Sequence, residues 1–98
     1  MLEKQVENYL KSEIKKRNGE CIKLFGIAGL PDRMVLLPGG VIAFVELKRP
    51  GERPRPIQKW WLKRLSLLGF CSGWCDSKES VDRFLEVLKN VQLSNTGG

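Results

Sequence analysis

The sequence predicts an α/β protein in which helices flank a mixed four-stranded sheet. Three observations carry this prediction: a helical pattern opens the chain, three strand-like segments follow it, and a helix then precedes a fourth strand-like segment. Strands joined by short turns pair antiparallel, whereas strands joined through a helix usually pair parallel, so the sheet should contain both arrangements. The expected order is therefore αβββαβ, with one more helix at the C-terminal end.

The expected elements are a helix over residues 2–17, strands over 20–25, 33–37 and 41–47, a helix over 56–68, a strand over 70–75 and a helix opening at 76–79. The first helix is predicted because apolar residues recur at helical spacing from Leu2 to Ile14, before the stop at Asn18-Gly19. The first strand, ECIKLF, alternates polar and apolar residues.

The turn Pro38-Gly39-Gly40 joins two apolar runs and predicts a β-hairpin. The second run is apolar on both faces, as in a central strand.

Residues 49–56, RPGERPRP, predict an extended basic loop. Pro56 suits the first turn of the second helix, and Gly69 suits its end. Asp-Ser-Lys-Glu at 76–79 has the pattern of a capping box. The expected core positions of the third helix are Val81, Phe84, Leu85 and Leu88.

The length and charge of the chain limit its organisation and its partners. Its 98 residues allow one small domain, placed at residues 1–91, with residues 92–98 as a flexible C-terminal tail. Its 17 Lys and Arg against 11 Asp and Glu give a net charge of +6, which favours nucleic acid or an anionic surface as partner. The chain shows neither a membrane-spanning run nor a signal peptide, so a cytoplasmic location is expected.

The chain contains no histidine, which restricts the chemistry open to it. Ser-His and Cys-His nucleophiles, histidine metal sites and histidine acid-base catalysis are excluded. Three cysteines form no complete zinc pattern, so reduced structural thiols are favoured. Catalysis would have to use carboxylates and lysine, with or without a metal.

The predicted hairpin brings charged residues together at its open end. If its loop has three residues, Asp32 lies opposite Glu46 on one face, with Cβ atoms about 4.5–5.5 Å apart. Lys48 shares that face because side chains alternate along a strand. Two carboxylates this close require a proton or a cation, and Mg²⁺ prefers such oxygen ligands. A two-residue loop would instead turn Asp32 to the other face.

The alternative is that Asp32 is an ordinary loop residue and that Glu46 and Lys48 form a solvated strand end. Glu13-Ile14-Lys15 on the first helix shows that a Glu-x-Lys triplet also arises by chance. Spacing alone leaves both interpretations open.

Three separated runs, GIAGLPDRMVL, VIAFVELKRPG and RPIQKW, resemble the VRR-NUC domain of the PD-(D/E)xK nuclease superfamily over about residues 3–76. The resemblance implies a restriction-endonuclease-like fold and a small stand-alone member of phage or bacterial origin. It implies that Asp32, Glu46 and the backbone carbonyl of Leu47 bind Mg²⁺ or Mn²⁺, and that Lys48 acts on the attacking water.

The same resemblance assigns two further residues. Gln58 matches the family's helix glutamine, expected near the attacking water or the scissile phosphate. The family also has a glutamate on its first helix, for which Glu3 is preferred over Glu7 because the EKQVE run carries Glu7 at the family's glutamine position.

Two surfaces are expected around this site. Basic residues beside the strand ends are predicted to bind phosphates without reading sequence. The alternative is that they only aid solubility. These residues are Arg33, Arg49, Arg53, Arg55, Lys59 and Lys63. The apolar residues of the second helix spread over more than half its circumference, and one sheet cannot cover so wide a surface. The alternative is that some of them are simply half-exposed. Self-association as a homodimer is the expected consequence.

The resulting functional prediction is a metal-dependent, structure-selective DNA endonuclease, because stand-alone members of the resembled family cleave Holliday junctions as homodimers. Two alternatives stay open: a nuclease for flaps, nicks or plain duplex, and a non-catalytic nucleic-acid-binding module on the same fold.

Overall fold

The computed structural model describes residues 2–96 and contains three helices and four strands. In chain order these are α1 (Glu3–Lys16), β1 (Glu20–Lys23), β2 (Arg33–Leu37), β3 (Val41–Leu47), α2 (Pro56–Leu67), β4 (Cys71–Cys75) and α3 (Lys78–Thr96). The predicted α/β class and element order are confirmed. None of the helices among these residues is long and apolar enough to cross a membrane.

The four strands form one mixed sheet in the order β1-β2-β3-β4. β1 pairs antiparallel with β2, β2 pairs antiparallel with β3, and β3 pairs parallel with β4. Arg33 lies opposite Val45 and Leu37 lies opposite Val41, which is the register of a three-residue hairpin loop. Gly39 and Gly40 both have positive φ (90° and 74°), so glycine provides the backbone geometry that this tight loop requires.

One face of the sheet carries the hydrophobic core. Val41, Ala43, Val45 and Leu47 of β3 are all buried and point to this face. α1 covers it with Val6, Leu10 and Ile14, and α3 covers it with Val81, Leu85 and Leu88, all of them almost fully buried. Phe84, also expected in the core, is partly buried and packs against it. α1 and α3 therefore form one layer behind the sheet.

α2 lies on the opposite face of the sheet. The Ser72 hydroxyl of β4 donates a hydrogen bond to the carbonyl of Leu62 (2.5 Å), whereas a side chain at the next residue, Gly73, would meet Phe84 of α3. Neighbouring residues of a strand point to opposite faces, so α2 and α3 sandwich β4. Only Gln58 and Leu65 of α2 are buried. Most of the apolar surface predicted for this helix remains exposed.

The structure corrects three boundaries. β1 ends at Lys23: the Leu24 N–H still donates to the carbonyl of Asp32, and the residues from Phe25 to Pro31 then form a loop. α3 is capped one residue later than predicted: the Ser80 N–H donates to the Ser77 hydroxyl (3.1 Å), and the Ser80 hydroxyl accepts from the N–H of Ser77 (3.0 Å). α3 also continues through residues 92–96 of the expected tail, where the Gln92 amide donates to the carbonyl of Pro38 (3.1 Å). Residues 97 and 98 lie outside the described residues.

Candidate active site

The open end of the hairpin brings two carboxylates and a lysine together. The hairpin register, continued by one residue beyond Arg33 and Val45, places Asp32 opposite Glu46. The Lys48 ammonium lies 3.4 Å from Oε2 of Glu46. Asp32 is held in place because its Oδ2 accepts a hydrogen bond from the N–H of Leu47 (2.8 Å).

Pro31 explains why the hairpin opens at this point. The register places it opposite Leu47, where it has no N–H to donate to the Leu47 carbonyl. The Leu47 N–H itself donates to the Oδ2 of the Asp32 side chain. The N–H and C=O of one strand residue point to the same side, so the Leu47 carbonyl also faces Asp32. A backbone oxygen thus joins the two carboxylates.

Glu46 occupies an environment that disfavours its charge. It is only 2% exposed, and burial together with the negative charge of Asp32 raises its pKa to about 7, although Lys48 opposes the shift. Its Oε1 is a fully buried side-chain oxygen with no hydrogen-bond partner among residues 2–96. Buried polar atoms rarely lack a partner, so an unpaired carboxylate oxygen indicates a ligand position.

The donor set fits a small divalent cation. It consists of oxygens from Asp32, Glu46 and the Leu47 backbone, and Mg²⁺ or Mn²⁺ binds such oxygen ligands while retaining several water molecules. Within residues 2–96 no three or more His, Cys, Asp or Glu side chains cluster as metal ligands. Any cation here would therefore depend on the backbone carbonyl and on water or phosphate oxygens as well.

Gln58 lies at the start of α2 and is 7% exposed. Its Oε1 accepts a hydrogen bond from the backbone N–H of Arg55 (2.8 Å), which caps the helix and fixes the side chain. The amide nitrogen is then the end of the side chain that remains for a ligand. This capping role was not predicted from the sequence.

The two glutamates of α1 differ in their surroundings. Glu7 is committed to an ion pair with Arg33 (3.0 Å) and to another with Lys4 (3.0 Å). Burial raises the pKa of Glu7, but the hydrogen bonds from Lys4 and Arg33 outweigh it and hold the pKa below its usual value. Glu3 is exposed. The hydrogen bond from Arg49 to Glu52 is the main cause of the raised pKa of Arg49, and the negative charge of Glu3 adds to that shift. Glu3 therefore has the freer carboxylate.

Arg33 corrects the predicted set of phosphate-binding residues. Its side chain is 8% exposed, and its guanidinium donates to the Glu7 carboxylate and to the carbonyl of Cys21 (3.2 Å). It points into the core layer because its side chain alternates with that of Asp32. Arg49 pairs with Glu52. The other predicted residues are all exposed: Arg49, Arg53, Arg55, Lys59 and Lys63.

Comparisons with known proteins bear on this arrangement. No family model matches the chain. A solved structure described as a VRR_NUC domain superposes with a TM-score of 0.79 and 34% sequence identity, covering 86% of this chain and 94% of the other. The chain belongs to the VRR-NUC nuclease family.

A phage protein gives independent support for this VRR-NUC assignment. The protein named "Putative nuclease p44", from Acyrthosiphon pisum secondary endosymbiont phage 1, is 46% identical over 69 residues. The match covers 68% of this chain and 74% of the phage protein. The predicted VRR-NUC resemblance and the predicted nuclease class are confirmed.

Pro31 is the residue that sequence reasoning missed in this VRR-NUC domain. The signal was available: a three-residue loop places residues 31 and 47 opposite each other, and proline cannot complete that pair. The sequence thus shows why no N–H of residue 31 can bond to the Leu47 carbonyl.

Proposed function

We propose that this VRR-NUC domain is a Mg²⁺- or Mn²⁺-dependent, structure-selective DNA endonuclease that cleaves Holliday junctions as a homodimer. The observation that carries the proposal is the buried Oε1 of Glu46, which has no hydrogen-bond partner within residues 2–96 and lies beside the Asp32 carboxylate and the Lys48 ammonium. A site for binding DNA alone would not need a buried carboxylate at the phosphate path, because that carboxylate repels phosphate.

Asp32, Glu46 and the carbonyl of Leu47 would hold the cation. A divalent cation held there would lower the pKa of a bound water and would offset charge on a phosphate. Lys48 donates hydrogen bonds from its ammonium group, which orient the attacking water or neutralise a phosphate oxygen. The Gln58 amide nitrogen can donate to the same group. Attack of water on phosphorus breaks the bond to the 3′ oxygen and leaves a 5′ phosphate and a 3′ hydroxyl.

DNA would be gripped through its phosphates. Arg49, Arg53 and Arg55 lie on the exposed loop that leaves the site, and Lys59 and Lys63 follow on α2. None of these positions requires a base-specific contact, so binding should depend on charge and on DNA shape.

Homodimerisation is supported by an exposed distal apolar patch, which we define as Ile42, Leu67, Leu68 and Phe70. Leu67 is 71% exposed and Leu68 is 53% exposed. Ile42 and Phe70 are neighbours across β3 and β4 by the register of those strands. A second copy on this patch would bury it and place two active sites on one particle, as paired cuts in a junction require.

Cleavage of labelled four-way, flap and linear duplex DNA tests the proposal. With Mg²⁺ or Mn²⁺ the wild-type protein should nick four-way DNA, and EDTA should abolish nicking. Asp32→Asn and Lys48→Ala should each lower the cleavage rate by about 10²- to 10⁴-fold while binding stays within a few-fold. Glu13→Gln and Lys15→Ala, in the second Glu-x-Lys triplet of the chain, are matched controls and should cleave normally.

Three outcomes would contradict the proposal in different ways. Normal cleavage by Asp32→Asn would overturn the assigned site. Cleavage of flaps without cleavage of four-way DNA would favour the flap or nick nuclease. Metal-independent binding with no cleavage of any substrate would favour a binding module on this fold.

A further inference from the structure

A second exposed apolar cluster lies at the active-site end of the molecule. We define this proximal ridge as Phe25, Ile27, Ile57 and Trp60. Phe25 is 83% exposed, Ile27 57%, Ile57 46% and Trp60 55%. Ile57 and Leu67 are ten residues apart on α2, about 15 Å along the helix, so the proximal ridge is separate from the distal apolar patch.

The loop that carries Phe25 and Ile27 is held in place by hydrogen bonds and packing. The N–H of Leu24 donates to the carbonyl of Asp32 (2.8 Å) and closes the loop. The indole N–H of Trp61 donates to the carbonyl of Ala28 (3.1 Å). Gly29 packs so tightly against Ile57 that a Cβ at this position would lie 2.6 Å from its Cγ1. The apolar side chains are thus presented outward by a braced loop.

The ridge adjoins the proposed site for chemistry. Phe25 directly follows Leu24, so its Cα lies within roughly 9 Å of the Asp32 Cα, the sum of one interstrand spacing and one residue step. That distance corresponds to about three nucleotides along a DNA strand. A phosphate held near Asp32 and Glu46 would therefore place nearby bases over the ridge.

The charges around the ridge favour DNA as its occupant over a second copy of this basic chain. Lys23 precedes Phe25 and Lys59 precedes Trp60, and both lysines are exposed. Cationic side chains beside exposed aromatic rings match a strand whose phosphates bind the cations while its bases stack on the rings. The distal apolar patch has no flanking lysine or arginine within residues 66–71.

We propose that the proximal ridge is a base-stacking wedge, in which Phe25, supported by Ile27 and Trp60, stacks against an unstacked base a few nucleotides from the cleaved phosphate. This inference deepens the proposed function and rests on it. Bases in continuous duplex are already stacked, whereas a branch point offers free base faces. The wedge would therefore select branched DNA without reading its sequence.

Fluorescence of 2-aminopurine at the branch point tests the wedge directly. The wild-type protein, in EDTA so that no cleavage occurs, should change the emission of a four-way DNA carrying the probe but not of the matched linear duplex. Phe25→Ser should remove the change and weaken binding to four-way DNA by roughly 5- to 150-fold, as loss of one base–aromatic stack does. Phe25→Tyr should restore both, since it keeps the ring.

Val87→Ser is the matched control, because Val87 is 53% exposed on α3, in the layer behind the sheet. It should leave the emission and the affinity unchanged. Unchanged emission and affinity for Phe25→Ser would overturn the wedge, and so would a loss of dimer in Phe25→Ser by analytical ultracentrifugation, which would make a second copy the occupant. Failure of the wild-type protein to cleave any DNA would overturn the proposed function alone, because the emission change is measured without cleavage.

Discussion

Glu46 combines burial with an incomplete set of hydrogen bonds, and this combination links stability to function at the scale of one residue. Its carboxylate is 2% exposed, its Oε1 has no hydrogen-bond partner in the described part of the chain, and its pKa is raised to about 7 by burial and by Asp32. A buried group of this kind lowers the stability of the metal-free protein whenever it is ionised. The cost is consistent with a position kept for ligand binding.

The raised pKa gives a testable pH dependence. The folded state holds the Glu46 proton more tightly than the unfolded chain, whose carboxyl titrates near 4.5. The contribution to stability is therefore fully present below about pH 4.5 and is lost as pH rises through 7, at a cost of ~3 kcal/mol. Urea unfolding in EDTA at pH 5 and pH 8 should show this loss in the wild-type protein.

Glu46→Gln should not show the loss, because it cannot ionise. Glu20→Gln, at an exposed position of β1, should follow the wild-type protein. Identical pH dependence in Glu46→Gln and wild type would show that Glu46 ionises normally in the folded protein.

At the scale of elements, a partly buried ion pair fastens α1 to the sheet. Arg33 of β2 bonds to Glu7 of α1 and to the Cys21 carbonyl of β1, so one guanidinium connects three elements. The same residue follows Asp32 directly. The contact therefore secures the layer of helices close to the proposed metal ligands.

Glu7→Gln should lower the free energy of unfolding by roughly 3 kcal/mol, because it leaves a buried guanidinium without its carboxylate. Glu13→Gln is the matched control on the same helix: Glu13 pairs with Lys16 and Arg17 at the surface, where such pairs contribute about 0.5 kcal/mol or less. Chemical denaturation at pH 7 measures both. Equal effects of the two variants would show that the Arg33 pair is no stronger than a surface pair.

Predictions from the sequence were correct where the alternation of side chains along a strand and the register of the hairpin decide the position of a residue. The odd hairpin loop correctly placed Asp32, Glu46 and Lys48 on one face, because a strand alternates strictly. The same register assigns Arg33 to the core face beside Val35, yet its charge suggested a surface role. Its true partner, Glu7, comes from another element, and sequence periodicity carries no information on such contacts.

Local helix capping and contacts between elements explain the other differences. Gln58 caps its own helix, and α3 continues to Thr96 while Gln92 reaches the hairpin turn. Neither feature has a distinct pattern in the sequence. Exposed apolar residues on α2 were expected from their spread around the helix, and the structure shows them at both ends of the helix.

At the scale of the whole molecule, the two sides of the sheet differ in how completely they are covered. α1 and α3 close one side, whereas α2 leaves Leu67 and Leu68 exposed on the other. Exposed apolar area of this kind on a small domain indicates an interaction surface. The proposed homodimer gives the distal apolar patch an occupant.

Leu67→Asp should weaken dimerisation at least about tenfold, since it places a charge in the interface, and should change paired cuts in four-way DNA to single nicks. The substitution should not unfold the chain, because Leu67 is 71% exposed. Sedimentation velocity measures the dimer, with Val87→Asp on α3 as the matched control. A wild-type protein that stays monomeric at micromolar concentration would contradict the assembly.

Apart from Glu3, every residue proposed for catalysis or metal binding comes from one uninterrupted stretch, residues 32–58. That stretch comprises the hairpin, the basic loop and the first turn of α2. Contacts of short sequence separation form quickly during folding, so the catalytic residues should reach their relative positions early. Substitutions in α3 should then alter how long the folded state persists far more than the proposed cleavage chemistry.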